Sequence, residues 1–161
     1  MRATVSKEAL NTIEYRKLRE SDIPSVAKLV KECFPKMERE PECWLDKNYT
    51  CFVATPCQNR KKIIGFVLMD HCTRYNVVDL IATEKSYRRQ GIATQLMFRL
   101  ARSLKRAGNN IPWKAFPTTK AGQQHLEKLL NAPVDIDDSV FFDWNLVYIG
   151  YDQILKNSNY D

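Results

Sequence analysis

Apolar residues in the first third of the chain follow a strand-like spacing and then a helical one. The stretch "IEYRKLRE" predicts a first strand, and the polar residues 1–11 before it predict a loose arm. A helix follows, with Asp22 as its candidate N-cap and Pro35 ending it. Its apolar positions recur at helical spacing: Ile23, Val26, Val30, Cys33 and Phe34. In the charged connection after it, we expect a short helix or an ordered loop, with Trp44 and Leu45 packing inward.

The middle of the chain changes from strand-like to helical spacing a second time. The β-branched and aromatic runs "CFVAT" and "KKIIGFVLMD", separated by "PCQNR", predict a hairpin. The run "NVVDLIAT" predicts a third strand that pairs antiparallel with its predecessor. The apolar residues after it recur with a helical period: Ile92, Leu96, Met97, Leu100 and Leu104. Gly108 ends this helix.

The last part of the chain predicts three further strands and one more helix. A short strand is expected around "IPWKAF", a helix over "TKAGQQHLEKLL" and two strands within "SVFFDWNLVYIGYD". The predicted order is therefore β-α-β-β-β-α-β-α-β-β. This order indicates a single α/β domain over residues 1–161, with a mixed, mostly antiparallel sheet flanked by helices.

The composition favours a ligand or partner that carries negative charge. The 25 Lys and Arg residues outnumber the 19 Asp and Glu residues, which gives a formal net charge of +6. The five cysteines are odd in number and irregularly spaced, so we expect reduced thiols in a cytoplasmic protein and no metal site. No apolar run approaches the roughly 20 residues that a membrane-spanning helix needs.

One turn in the sequence is suited to holding an anion. The stretch "IATEKSYRRQGIA" leads from a predicted strand through a basic loop into the start of a helix. The first turn of a helix leaves backbone N–H groups unpaired, and the helix dipole makes that end partly positive. Gly91 and Ala93 leave room for a ligand, while Arg88 and Arg89 add positive charge. A pyrophosphate would fit this turn.

The spacing R-x-x-G-x-A at Arg88, Gly91 and Ala93 resembles the acyl-CoA-binding motif of the GNAT superfamily, the Gcn5-related N-acetyltransferases. The strand before the motif, the amphipathic helix after it and the opening "YRKLRESDIPSVAKLVKECFP" are also similar to that family. The resemblance spans roughly residues 13–152. It implies an N-acetyltransferase that uses acetyl-CoA as cosubstrate and a primary amine of a small molecule, peptide or protein as acceptor.

The resemblance also implies which residues hold the cosubstrate. In the family a central strand splays from its neighbour, and the pantetheine arm lies in the gap against backbone groups. Backbone amides at the start of the following helix hold the pyrophosphate. The residues implied here are Ile81, Ala82, Thr83, Arg88, Arg89, Gln90, Gly91, Ile92, Ala93 and Thr94.

Asp79 is the first candidate for a catalytic residue. Strand alternation predicts two faces: Asp79, Ile81 and Thr83 on one, and Val78, Leu80 and Ala82 on the other. A carboxylate in an apolar strand is costly unless it is paired or used. Asp79 matches a position where many family members carry an acid that draws off the substrate proton, although a structural Asp is an equal alternative. Glu84 is a weaker candidate.

The general acid is left open by the sequence. The family's tyrosine falls in the helix "TTKAGQQHLEKLLNAP", where His125 or Leu126 takes its place and the following Gly-Phe is absent. His125 is one candidate, with an ordinary pKa of about 6.5. Tyr148 and Tyr151 are rivals of His125 for this role, with Tyr151 the second candidate, and the acid is also dispensable in principle.

Two other functions remain as alternatives. The missing tyrosine favours an acyl-CoA-binding sensor or regulatory domain without turnover, and the net charge alone favours a nucleic-acid-binding module. The acidic run Asp135–Asp138 suits a cationic acceptor, although such a run is more often a solvated loop. The acceptor is not readable, no membrane partner is expected, and both a monomer and a homodimer are compatible with the sequence.

Overall fold

Six strands and three α-helices make up the part of the chain that the computed structural model describes, which is residues 12–38, 40–72 and 74–142. The strands are β1 Ile13–Lys17, β2 Tyr49–Pro56, β3 Gly65–His71, β4 Asn76–Thr83, β5 Trp113–Ala115 and β6 Val140–Phe142. The helices are α1 Ile23–Cys33, α2 Ile92–Arg106 and α3 Lys120–Leu130. Short 3-10 helices span Glu20–Asp22, Pro41–Leu45 and Lys85–Tyr87.

The six strands form one sheet in sequence order, β1 to β6. Each neighbouring pair is antiparallel except β4 and β5, which run parallel. A parallel neighbour requires a crossover, and α2 supplies it. The predicted element order is confirmed through β6, and β4 has the predicted bounds. The second of the two strands predicted at the C-terminus, like the predicted arm at residues 1–11, lies outside the described residues.

Each face of the sheet carries its own core. Buried residues of β2, β3 and β5 pack with α2 and α3 on one face, which we call the α2–α3 core: Phe52, Ala54, Val67, Met69, Trp113, Ala115, Ile92, Leu96, Met97, Leu100, Ala101, Leu104, Leu126 and Leu129. On the other face, the α1 core is formed by α1, Trp44 and residues of β2, β3 and β4: Val26, Leu29, Val30, Cys51, Val53, Phe66, Leu68, Leu80 and Ala82. Helices α2 and α3 therefore lie on one face of the sheet and α1 on the other.

The prediction that Trp44 and Leu45 both pack inward is wrong for Leu45. Trp44 is buried against Phe66, with ring centroids 5.4 Å apart, whereas Leu45 is 45% exposed. The segment Pro41–Leu45 is a 3-10 helix, in which successive side chains are about 120° apart because there are three residues per turn. The side chains of Trp44 and Leu45 therefore point in different directions, and only that of Trp44 faces the core.

Asp22 precedes α1 as predicted, but it does not cap the helix through its side chain. Its carboxylate is buried and accepts two hydrogen bonds from the Arg16 guanidinium, at 2.6 and 2.8 Å, and one from the Arg19 amide at 2.8 Å. Arg16 also donates to the Arg60 carbonyl. The bidentate pair thus fixes β1, the start of α1 and the β2–β3 connection to one another.

The pKa of Asp22 reflects this environment. Burial alone would raise it, but the hydrogen bonds from Arg16 and Arg19 and the charge of Arg16 outweigh burial, so the pKa is lowered from its ordinary value. A carboxylate whose pKa is lower in the folded state stabilises the protein above its unfolded pKa of about 3.9. This stabilisation is lost as the pH falls through the folded pKa.

The remaining composition-based expectations concern cysteines, metals and membranes. All five cysteines are free thiols, with Cys51 buried and Cys43, Cys57 and Cys72 exposed. Within residues 12–38, 40–72 and 74–142, we find no group of three or more His, Cys, Asp or Glu side chains that could hold a metal ion. None of the helices in those ranges is long and apolar enough to cross a bilayer.

Asp22→Asn is expected to destabilise the fold by about 3 kcal/mol, because it leaves the Arg16 charge buried without its partner. Urea unfolding at pH 7 measures the loss, and the difference from wild type should shrink below about pH 4. Asp138→Asn, at an exposed position, is the matched control and should change stability by less than about 0.5 kcal/mol. An Asp22→Asn protein as stable as this control would contradict the assignment.

Candidate functional site

The turn between β4 and α2 contains two residues in the left-handed region. Arg89 has φ 62° and Gly91 has φ 84°. Left-handed backbone is strained for a residue with a side chain, so Arg89 must be held there by its surroundings. Turns of this kind make successive N–H groups converge into a concave surface that binds anions. The backbone from Arg89 to Gly91 has this geometry.

The start of α2 adds further N–H donors to the same surface. Gly91 is the N-cap residue, and glycine has no side chain with which to cap this end. The first turn therefore presents the backbone amides of Ile92, Ala93 and Thr94 together with the positive end of a 15-residue helix dipole. We call the segment Arg89–Thr94 the amide cradle. Its geometry suits a diphosphate better than a single carboxylate, because the donors span six residues.

Gly65 allows the amide cradle to lie close to the sheet. A Cβ atom at Gly65 would be 3.1 Å from Cγ2 of Ile92, 3.2 Å from the Ala82 carbonyl oxygen and 3.3 Å from Cδ1 of Leu96. These distances are tighter than ordinary packing contacts. The absence of a side chain on β3 therefore fixes the height of the first turn of α2 above β3 and β4.

The side chain of Arg88 ties the loop to β4 and α1. Its Nε donates to the Thr83 carbonyl at 2.9 Å, and a terminal nitrogen lies 3.7 Å from the Cys33 sulfur at the end of α1. The neighbouring Glu84 pairs with Lys62 at 3.3 Å, and its backbone amide donates to Ile64. Arg88 and Glu84 thus both hold the end of β4 in place, and a contact of Arg88 with a cosubstrate stays a prediction.

β4 carries a bulge at Asp79. Leu68 of β3 pairs with Leu80, but the next residue, Met69, pairs with Val78, so Asp79 is an extra residue in the ladder. The bulge changes the alternation. Val78 packs against the α2–α3 core together with Ile81, rather than on the side of Leu80. The predicted grouping of Val78 with Leu80 and Ala82 is therefore wrong, because strict alternation does not continue through a bulge.

The pairing of β4 with β5 stops at the same place. Its register joins Asn76, Val77 and Val78 to Trp113, Lys114 and Ala115 and goes no further. Among the described residues, positions 80–83 have β3 on one side and no strand on the other. We call this opening the β4–β5 gap. It runs from the bulge at Asp79 to the end of β4 at Thr83, and the short 3-10 helix Lys85–Tyr87 leads from there to the amide cradle.

The sequence model of the Acetyltransferase (GNAT) family matches residues 18–128, which is more than half of the chain. The chain belongs to the GNAT acetyltransferase family.

Solved structures of GNAT proteins share its fold. YhbS from Escherichia coli, a GNAT family N-acetyltransferase in complex with CoA, is 17% identical, with a TM-score of 0.61 over 83% of this chain and 82% of that one. NAA60 from Arabidopsis thaliana in complex with a bisubstrate analogue is 16% identical, with a TM-score of 0.61 over 82% and 97%. An acetyltransferase from Vibrio fischeri is 26% identical, with a TM-score of 0.51 over 64% and 93%. A search of curated protein sequences found no match.

His125 lies on α3 of this GNAT protein, where the sequence places it against the family's tyrosine. It is half-buried, and burial, followed by the nearby charge of Lys128, lowers its pKa to about 4. The imidazole is therefore neutral at pH 7 and carries no proton to donate as an imidazolium. This weighs against His125 as a general acid. Tyr148 and Tyr151 lie outside the described residues, so Tyr151 stays a prediction.

The sequence analysis missed two features of the GNAT site, Gly65 and the bulge. An isolated glycine within a strand pattern indicates a bulge or a close backbone approach, so Gly65 in "KKIIGFVLMD" carried a usable signal. The bulge left no comparable sign, because Asp79 fits the alternation of β4 as well as any polar residue would. Of the predicted cosubstrate residues, Ile81–Thr83 border the β4–β5 gap and Arg89–Thr94 form the amide cradle, and their contacts with a cosubstrate stay predictions.

Gly65→Ala is expected to destabilise the protein by about 1–3 kcal/mol, because the added methyl group displaces Ile92 and Leu96. Thermal and urea unfolding measure the loss. Gly122→Ala is the control, because the added methyl would contact only the Thr119 hydroxyl, at 3.3 Å, and lies within the exposed first turn of α3. If Gly65→Ala were as stable as Gly122→Ala, α2 would not be packed against β3 as described.

Proposed function

We propose that this protein transfers an acetyl group from acetyl-CoA to a primary amine by direct attack of the amine on the thioester. The observation that carries the proposal is the arrangement along β4. An anion-binding cradle lies at one end of the β4–β5 gap, and a bulged carboxylate lies at the other. A cosubstrate with a charged diphosphate and an extended amide-containing tail matches the polarity of this arrangement.

The residues present fit CoA. The left-handed residues Arg89 and Gly91 and the backbone amides in the first turn of α2 match the diphosphate. Backbone groups of Ile81, Ala82 and Thr83 border the gap and match the amides of the pantetheine arm, which would lie there as a short extra strand. The net charge of +6 favours such an anion, and CoA is the ligand held by YhbS.

The thioester supplies an activated acetyl group, and the protein must supply a neutral amine. A free primary amine has a pKa of about 10.4, so it is mostly protonated at pH 7. Asp79, at the bulge, accepts this proton directly or through water. The backbone amides next to the bulge stabilise the oxyanion that forms when the amine nitrogen attacks the carbonyl carbon. A bulge serves this step because it turns backbone groups out of the sheet ladder.

A dedicated general acid is not required. The departing group is a thiolate, and an ordinary thiol has a pKa of about 8.5, so the thiolate is a good leaving group near neutral pH. The lowered pKa of His125 agrees with a mechanism in which solvent protonates the thiolate. The free thiols agree with a reducing, cytoplasmic setting for a single-domain enzyme, as a monomer or a homodimer.

The alternative is a domain that binds acyl-CoA as a sensor without turnover. It is favoured by the absence of tyrosine from the family's usual position, which falls on His125 or Leu126, and by the lowered pKa of His125. Release of CoA thiol from acetyl-CoA in the presence of primary amines separates the two functions. Amine-dependent release supports the enzyme, and CoA binding without release supports the sensor.

Gly91→Glu is expected to weaken CoA binding by about 100-fold or more, because a carboxylate in the amide cradle repels the diphosphate. Isothermal titration with CoA measures the loss, and thiol release should fall with it.

Gly108→Glu is a matched control for this variant. Gly108 is also left-handed, with φ 70°, and a Cβ atom there meets nothing within 4 Å, so the backbone strain is shared while the cradle is untouched. Normal CoA binding by Gly91→Glu, or an equal loss in Gly108→Glu, would show that the diphosphate binds elsewhere.

Asp79→Asn is expected to lower kcat/KM about 100-fold at pH 7 and much less near pH 10, where free amine is plentiful. A pH profile of thiol release measures this. A loss that is equal at both pH values would contradict proton removal by Asp79 and would indicate a structural role.

A further inference from the structure

Two residues near the end of β4 direct their backbone groups into the β4–β5 gap. The Glu84 amide donates to the Ile64 carbonyl at 2.7 Å, in line with the register of β3 and β4. Hydrogen-bonded and non-hydrogen-bonded positions alternate along an antiparallel pair. Thr83, and Ile81 two residues before it, therefore point their N–H and C=O groups away from β3 and toward the gap.

One of these four groups is already bonded within the protein. The Arg88 Nε donates to the Thr83 carbonyl oxygen at 2.9 Å, and the Cys33 sulfur lies 4.0 Å from the same oxygen. Among the described residues, no strand pairs with this side of Ile81 or Thr83. The groups still open toward the gap are therefore the N–H and C=O of Ile81 and the N–H of Thr83.

The guanidinium of Arg88 directs one of its edges at the protein. Besides the bond from Nε to Thr83, its Nη2 lies 3.7 Å from the Cys33 sulfur at the end of α1. Nε and Nη2 form one of the two edges with which an arginine binds a phosphate through parallel hydrogen bonds. Here that edge contacts β4 and α1.

We propose that Arg88 is a positioning residue, which acts on the cosubstrate through Thr83 rather than through its own charge. Because Arg88 occupies the Thr83 carbonyl, it closes the Thr83 end of the gap. The pantetheine arm is then held by the groups of Ile81 and by the Thr83 N–H, and the diphosphate is held by the backbone amides of the cradle.

This inference rests on the proposed function and assigns a role to one residue of the same site. The thioester and the diphosphate are at opposite ends of the pantetheine arm. The point at which the arm leaves β4 therefore decides where the thioester lies relative to Asp79. Because a misplacement of about 1 Å can lower a rate about 100-fold, loss of the Arg88–Thr83 bond should affect acetyl transfer as well as CoA binding.

Three substitutions of Arg88 separate its hydrogen bond from its charge. In Arg88→Gln the side-chain amide nitrogen follows Cδ, as Nε does in arginine, so the donor is kept and the charge is lost. Arg88→Lys keeps the charge but has a carbon atom at that position. Arg88→Met has neither the donor nor the charge. The positioning role and a phosphate contact therefore predict opposite orders for the Gln and Lys variants.

Isothermal titration with CoA measures this order. We expect Arg88→Gln to bind CoA within about threefold of wild type, because the lost charge is exposed and screened. Arg88→Lys and Arg88→Met should bind about tenfold more weakly, because the Thr83 carbonyl loses its charged donor. Tighter binding by Arg88→Lys than by Arg88→Gln, or three equal affinities, would overturn the proposal.

A ligand without the pantetheine arm shows which part of the cosubstrate Arg88 serves. ADP carries a diphosphate and no arm. Arg88→Met should weaken CoA binding about tenfold and ADP binding by less than about threefold. Equal losses for the two ligands would overturn the proposal, because they would show that Arg88 acts on the diphosphate. Arg102→Gln, at an exposed position on α2, removes the same charge and is the control for both ligands.

Kinetics keep the positioning role separate from the proposed function. Arg88→Lys should lower kcat for thiol release as well as raise KM for acetyl-CoA, whereas Arg88→Gln should retain both. If no amine releases thiol but the order of CoA affinities holds, acetyl transfer fails and the positioning role stands. If thiol release depends on the amine but Arg88→Lys matches wild type in kcat and in CoA affinity, the proposed function stands and the positioning role is overturned.

Discussion

β4 is paired along its full length with β3 but only over its first three residues with β5. Backbone N–H and C=O groups need partners, and a central strand that loses one neighbour leaves half of its polar groups to water or to a ligand. This constraint explains why the gap and the bulge lie on one strand, which the loop before α2 joins to the cradle. The bulge at Asp79 falls at the last β5 contact, because the extra residue turns the strand away from its ladder. The β4–β5 gap thus results from a parallel pair that is only three residues long on each strand.

Contacts with other elements hold β4 and the loop after it in place. Arg89 keeps a left-handed backbone although it has a side chain, and the neighbouring Arg88 anchors the loop to Thr83 and Cys33. Beneath the loop, Gly65 lets α2 approach the sheet. At the other edge, the buried Arg16–Asp22 pair fixes β1 to α1, whose C-terminal turn supplies Cys33. Local strain in the cradle is therefore held by contacts from three elements.

The sequence predicted the helices and strands whose residues follow a regular period. β4 and the start of α2 were predicted correctly because a period of two changes to a helical period across Gly91. The orientations that failed depend on local geometry: Leu45 directly follows the buried Trp44 in a 3-10 helix, and Val78 precedes a bulge. Asp22 was read as a cap because its position fits one, but its partner Arg16 is on another element, and a single sequence does not show such a contact.

The candidate site was predictable in part for a similar reason. The cradle is local in sequence, so a short motif describes it, whereas the gap depends on β4 and β5, which are separated by all of α2. The gap was predicted only from the resemblance to the family. The pKa of His125 was likewise not predictable from the sequence, because it depends on the burial of the side chain on α3 and on the charge of Lys128.

The two faces of the sheet have different roles in the proposed reaction. On one face, α2 and α3 cover β4 and β5 and hold the cradle, where the proposed function places the diphosphate. On the other face, α1 covers β2 to β4, and its core contains no described residue of β5 or β6.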